Sequence, residues 1–194
     1  MALKGQYTTA SYLPWNDAMM LVKKMARDGR YRDSLLIAVG CFTGLRISDI
    51  LRLRWIDILG SEILVINEKK TGKRREIPLN KDMRHYAKEC FDKLDVQDTN
   101  KPIFVSYQGA VLSKQMVNKI LHNTKSRYNI KIENFSSHSL RKTFSRRIYD
   151  TAEDREYALI KLSSVLGHSS CAITRAYLGI KREEILDCYS SLSW

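Results

Sequence analysis

Residues 31–53 read YRDSLLIAVGCFTGLRISDILRL. Leu35, Leu36, Val39 and Phe42 fall at i, i+1, i+4 and i+7, the spacing of one helical face, in a stretch apolar enough to lie inside a core. Thr43-Gly44 supplies a stop, so Arg46 stands just past the end of a buried helix. Ser48 or Asp49 can cap a short helix from Ile50 to Leu53. Next comes ILVINEKKTGKRREIPL, residues 63–79, which reads as strands Ile63 to Ile66 and Arg75 to Leu79 around Lys70-Thr71-Gly72-Lys73. That is a hairpin with a basic tip.

Outward from these two stretches the pattern is helical. Before them, residues 1–11 read as a tail, and Asn16 to Arg27 forms a helix through Met19, Met20, Val22 and Met25 that stops at Asp28-Gly29. After them, helices are expected at Lys81 to Leu94, Ser113 to Tyr128, His138 to Tyr149, Glu156 to Leu166, Ala172 to Leu178 and Arg182 to Tyr189. The expected class is mainly α with a small antiparallel β-sheet. Asp95 to Lys101 reads as a surface loop, and no repeat or Pro/Gly-rich linker divides the chain.

The chain has 194 residues, a length suited to one domain with a real core. Its 44% hydrophobic and 28% charged residues, with 3 Pro and 9 Gly, exclude disordered and fibrous classes. The longest apolar run, Leu35 to Phe42, is far short of the ~18 residues of a membrane helix, and no secretory signal follows Met1. A cytoplasmic protein with no membrane partner is expected. Lys and Arg number 33 against 21 Asp and Glu, a formal charge of +12 that draws the chain toward polyanions, nucleic acid first. Cys41, Cys90, Cys171 and Cys188 are widely spaced, so reduced thiols are expected rather than a disulfide framework.

Several site types are excluded by spacing. A P-loop needs glycine where Asn67 stands, and G-x-S-x-G is absent. His168-x-x-Cys171 has half of a zinc set, but no second ligand pair matches it, so neither a metal nor a cofactor is expected. What remains is a series of cationic and imidazole side chains at the ends of elements: Arg46, Lys70, His138 with Arg141, and His168, with Tyr177 nine residues further on. Each alone has an ordinary structural explanation. Arg46 can pair with Asp49, Lys70 can be a solvated turn charge, and His138 can cap its helix. Arg141 can lie on a solvated face, His168 in a loop and Tyr177 in the core. Together they suit a phosphodiester site. Two guanidiniums clamp the non-bridging oxygens and stabilise a pentacoordinate transition state, a histidine activates a tyrosine whose ordinary pKa is ~10, and a hairpin lysine protonates the leaving oxygen.

The boxes Thr43-Gly44-Leu45-Arg46-Ile47-Ser48-Asp49-Ile50, Lys70-Thr71-Gly72-Lys73, His138-Ser139-Leu140-Arg141, Leu166-Gly167-His168-Ser169-Ser170 and Tyr177 resemble, in order and spacing, the tyrosine recombinase (phage integrase) family. The resemblance runs from about Leu13 to Leu178 and is specific, because five separated boxes coincide. It implies catalytic Arg46, Lys70, His138, Arg141, His168 and Tyr177. Lys69 and Lys73 compete for the lysine role, with Lys70 the best match. Asp49 stands where the family more often has glutamate, a support for the arginine, and Lys142 replaces a histidine frequent after the second arginine. Ser164, Thr174 and Tyr189 read as cap, surface and core, and take no role.

The implied activity is site-specific recombination of double-stranded DNA. Tyr177 attacks a phosphate to give a 3'-phosphotyrosyl link, and a partner strand's 5'-hydroxyl reverses the step. Arg46, Arg141 and His168 hold the phosphate, His138 acts on the tyrosine proton and Lys70 protonates the leaving oxygen, without metal or ATP. The resemblance implies a homo-oligomer, a tetramer on DNA. The chain is expected to hold a tail over residues 1–12 and the catalytic domain over 13–194, ending in a helix over about 180–194. No preceding helical domain of the kind usual in the family is expected, as in a fragment or a naturally short member. The tail from Gly179 to Trp194 can pack on its own subunit or a neighbour's, and the resemblance favours a neighbour. A type IB topoisomerase and a non-catalytic DNA-binding regulator are the rival readings.

Overall fold

A computed structural model describes residues 11–180 and 188–192. Their order is α1 (Trp15–Arg27), α2 (Tyr31–Thr43), α3 (Ile47–Ile50), α4 (Trp55–Leu59), β1 (Ile63–Asn67), β2 (Arg74–Pro78), α5 (Lys81–Lys93), α6 (Lys114–Arg127), α7 (Ser137–Thr151), α8 (Arg155–Leu166) and α9 (Cys171–Leu178). The chain is mostly helical with a two-stranded antiparallel sheet, as expected. The described residues fall into two compact units. The first ends at Phe144 and the second begins at Ser145, so the division lies within α7.

In the first unit α2 is the central helix. Leu35, Leu36, Ile37 and Val39 are buried in one cluster with Met25, Trp55, Phe104 and Leu121, and α1 and α5 both pack against α2. Burial nearly all round α2 explains why its sequence is apolar on more than one face. Two glycines of α2 and its end let α7 approach closely: a Cβ at Gly40 would lie 2.8 Å from Leu140 Cβ, and one at Gly44 would lie 2.3 Å from the Phe144 ring. Gly44 also carries φ +60, the left-handed conformation that ends α2.

The hairpin pairs Ile63 with Pro78 through to Asn67 with Arg74. Leu64 and Ile77, directly opposite, are both buried and anchor one face. The turn closes through Glu68 N–H to the Lys73 carbonyl, 3.0 Å, and Gly72 N–H to the Glu68 carbonyl, 2.8 Å.

In the second unit Asp154 caps α8 by accepting from Tyr157 N–H, 2.9 Å. Gly167, at φ +66, ends it: His168 N–H bonds back to the Ser163 carbonyl and Gly167 N–H to that of Ser164. This reciprocal pair satisfies the last carbonyls and reverses the chain. Ser170 then caps α9.

Most helix ends agree with expectation within one or two residues. Two findings differ. The short helix after Arg46 is Ile47–Ile50, a turn earlier than Ile50 to Leu53, with Arg46 itself at the N-cap position. Helix α4 was not expected, because five residues are too few to show a period; it is fixed by burial of Trp55 and Ile58 and by Asp57 accepting from Arg54 N–H, 2.8 Å. Most of the expected helix Arg182 to Tyr189 lies outside the described residues, of which 188–190 are helical. Residues 1–10 of the expected tail lie outside them as well. Among the described residues no helix is long and apolar enough to cross a membrane.

Candidate active site

Arg46, Lys70, His138 and Arg141 belong to the first unit, and His168 and Tyr177 to the second. Arg46 follows the left-handed stop of α2, and its Nη1 donates to Glu68 Oε2 at 2.8 Å. Glu68 is buried at the base of the hairpin turn and accepts twice more, from Thr71 Oγ1 at 2.7 Å and from Arg75 Nη1 at 3.1 Å. Burial by itself would raise this carboxyl; the bonds from Thr71, Arg46 and Arg75 outweigh it and hold the group down at about 2. One carboxylate thus ties Arg46 to the turn that bears Lys70, whose side chain is exposed.

Asp49 does not pair with Arg46. Its Oδ1 accepts the Lys69 backbone N–H at 2.8 Å, a second tie between α3 and the hairpin, immediately before Lys70. The support that the sequence placed on Asp49 comes instead from Glu68, an acid easily overlooked in the basic run that follows it.

Arg141 is buried, and its Nη1 donates to the Gly44 carbonyl at 2.5 Å. That bond fixes the guanidinium against the loop that carries Arg46, a short charge-assisted contact to a carbonyl left open at a helix end. His138 lies one turn before Arg141 on the first turn of α7. Partial burial, then the charges of Arg141, Lys114 and Lys142, push its ring below the ordinary histidine range. A neutral imidazole is what a proton acceptor requires. Asn118 Oδ1 accepts the Ser137 N–H at 3.1 Å, joining α6 to the start of α7, and Lys114 stands one turn earlier on α6.

In the second unit the His168 and Tyr177 rings meet edge to face, with centroids 5.3 Å apart and an interplanar angle of 72°. His168 Nδ1 lies 3.0 Å from Thr174 Oγ1, which in turn lies 2.7 Å from Ser163 Oγ. Thr174 is fully buried, so the surface reading of that residue is corrected. It sits three residues before Tyr177, within one helical turn, and that spacing was the available signal.

The first unit thus carries two arginines fixed by protein partners, an exposed hairpin lysine and a histidine pushed below its ordinary range, and the second carries a histidine edge to face with a tyrosine. The chain matches the phage integrase family over residues 12–184 and belongs to that family, the tyrosine recombinases. It is 29% identical over 169 residues to the probable integrase/recombinase YoeC of Bacillus subtilis, covering 87% of this chain and 88% of that one. It is 24% identical over 177 residues to tyrosine recombinase XerD of Staphylococcus saprophyticus, covering 89% of this chain and 58% of XerD. Among solved structures, XerH site-specific recombinase bound to palindromic difH substrate, a post-cleavage complex, matches with a TM-score of 0.70 at 21% identity, over 98% of this chain and 55% of that one. A lambda integrase dimer bound to a COC' core site matches with a TM-score of 0.65 at 21% identity, over 92% of this chain and 50% of that one. At these identities the structural likeness carries the fold.

Proposed function

We propose that this chain is a site-specific DNA recombinase that cuts and rejoins double-stranded DNA through Tyr177. The tyrosine oxygen bonds to phosphorus and the bond to the 5'-oxygen breaks, leaving a 3'-phosphotyrosyl link and a free 5'-hydroxyl. His138 accepts the tyrosine proton and Lys70 supplies one to the leaving oxygen. Arg46, Arg141 and His168 neutralise the non-bridging oxygens. Attack by the 5'-hydroxyl of a partner strand reverses each transfer, so bond energy is conserved and neither metal nor ATP is consumed. The observation that carries this reading is Glu68, one buried carboxylate that holds Arg46 and, through Thr71, the turn bearing Lys70.

Recombination joins two duplexes, so the working form is a homo-oligomer on DNA, a tetramer. The complexes described above, XerH on its difH substrate and a lambda integrase dimer on a core site, support DNA as the partner. Incubation with nicked DNA tests the reading: a covalent adduct on Tyr177 is expected, and none from Tyr177→Phe. A binder without chemistry gives no adduct. A type IB topoisomerase gives the adduct and relaxes a supercoiled plasmid as a monomer, but yields no product from two recombination sites.

A further inference from the structure

In the second unit three side chains form a hydrogen-bonded chain whose protons can be counted. Ser163 Oγ lies 2.8 Å from the Leu159 carbonyl oxygen and 2.7 Å from Thr174 Oγ1, and Thr174 Oγ1 lies 3.0 Å from His168 Nδ1. A carbonyl only accepts, so the one Ser163 proton goes to Leu159. Ser163 Oγ therefore accepts from Thr174, which commits the one Thr174 proton. Thr174 Oγ1 then accepts from His168, and Nδ1 carries the hydrogen. The reverse order, Ser163 to Thr174 to His168, makes two hydrogen bonds in place of three. It also sets the Ser163 oxygen against the Leu159 carbonyl with no proton between them. Cys171 Sγ, 3.6 Å from Ser163 Oγ, is a weak partner and does not alter the count.

We infer that Ser163 and Thr174 are positioning residues that hold His168 as its Nδ1–H tautomer, so that the ring meets a DNA phosphate through Nε2 and only when protonated. The phosphate half of this statement rests on the proposed function; the tautomer does not. In the neutral Nδ1–H ring, Nε2 carries a lone pair, which repels a phosphate oxygen, whereas the imidazolium presents an N–H there. The two histidines thereby take opposite states. His138 works neutral, as a proton acceptor, and His168 works as a cation. The Thr174 hydroxyl and the Tyr177 ring, both on α9, lie against the His168 ring. Elsewhere in the second unit Arg175 pairs with Glu156, Lys161 lies over the Tyr157 ring, Arg155 over the Tyr149 ring, and Arg146 pairs with Asp150.

Nitrogen NMR of the whole chain, labelled at histidine and held at a pH where the ring is neutral, reads the tautomer directly. The wild type is expected to show His168 protonated at Nδ1 and unprotonated at Nε2. Ser163→Ala removes the acceptor of the Thr174 proton, which then turns to Nδ1 and switches the ring to Nε2–H without altering His168. Thr174→Val, close to isosteric, moves the ring the same way by removing the acceptor of Nδ1–H, and keeps the test alive should Ser163→Ala fail to fold. Thr174→Ser restores Nδ1–H. On nicked DNA, Thr174→Val is expected to form adduct roughly tenfold to a hundredfold more slowly, with recovery in Thr174→Ser. An Nε2–H ring in the wild type, or a tautomer unmoved by both Ser163→Ala and Thr174→Val, overturns the inference. An Nδ1–H ring in a wild type that forms no adduct overturns the recombinase reading and leaves the tautomer standing.

Discussion

Glu68 accepts from Thr71, Arg46 and Arg75, and that concentration of donors makes its ionisation part of the folding equilibrium. Its carboxyl titrates near 4.5 when free and at about 2 in the folded chain. A carboxylate depressed in this way stabilises the fold above its unfolded value, and the contribution is lost as pH falls through the folded one. Urea unfolding from about pH 5 down to about pH 2 should therefore lose about 3 kcal/mol through this group, and Glu68→Gln should be flatter over the same window. Equal slopes in the two proteins would mean that Glu68 carries no such linkage. Tyr177→Phe removes one hydroxyl and no charge, so it should bind DNA as the parent does and form no adduct. A nucleotide mapped to Tyr189 or Tyr157 by mass spectrometry would move the nucleophile. Neither Glu68 nor Thr174 was legible as a functional residue: an acid beside a basic run looks solvated, and a threonine between an isoleucine and an arginine looks exposed.

At the scale of elements, the approach of α7 to α2 depends on two missing side chains. Gly44 combines a left-handed φ with a Cβ position that would clash with the edge of the Phe144 ring, so Gly44→Ala should cost roughly 2–5 kcal/mol in chemical denaturation, from backbone strain and overpacking together. A loss of under about 1 kcal/mol would show that the loop relaxes easily. The same change should displace Arg46, two residues on, and the Gly44 carbonyl that holds Arg141. The hairpin is the second element that the proposed function uses. Lys70→Ala should slow cleavage by roughly a hundredfold or more, because the alkoxide leaves unprotonated. A bridging 5'-sulfur needs little protonation and should rescue Lys70→Ala, but should rescue Arg46→Ala and Arg141→Ala much less, since their contribution is to the non-bridging oxygens. Rescue of Lys69→Ala or Lys73→Ala in place of Lys70→Ala would move the acid along the turn. Strands and turn were readable because β-pairing and a Thr-Gly turn are local; α4 was not, being shorter than the period that betrays a helix.

The whole molecule carries +12, and its partner in the proposed function is a polyanion. If about six to ten phosphates are contacted, raising salt from ~50 to ~200 mM should weaken DNA binding by roughly a thousandfold or more, measured by titration of a labelled site. An affinity indifferent to salt would remove the electrostatic basis of the interaction. The chain spans 58% of the XerD relative and 88% of YoeC.

The sequence by itself determined the helical class, the basic hairpin, the stops at Gly29 and Gly44, and the chemical types offered at Arg46, Lys70, His138, Arg141, His168 and Tyr177. All of these are written within a few consecutive residues, in periodicity, turn preference and spacing. The tertiary structure decided which atoms those residues hold. Arg46 finds its carboxylate 22 residues away, and Arg141 finds its carbonyl 97 residues away. Thr174 is buried against α8, where its hydroxyl meets both Ser163 Oγ and His168 Nδ1. Such partners depend on how separated segments pack, and each helix face admits several packings of equal local quality. The choice among them is made by close contacts such as Gly40 on Leu140, which no short window of sequence contains.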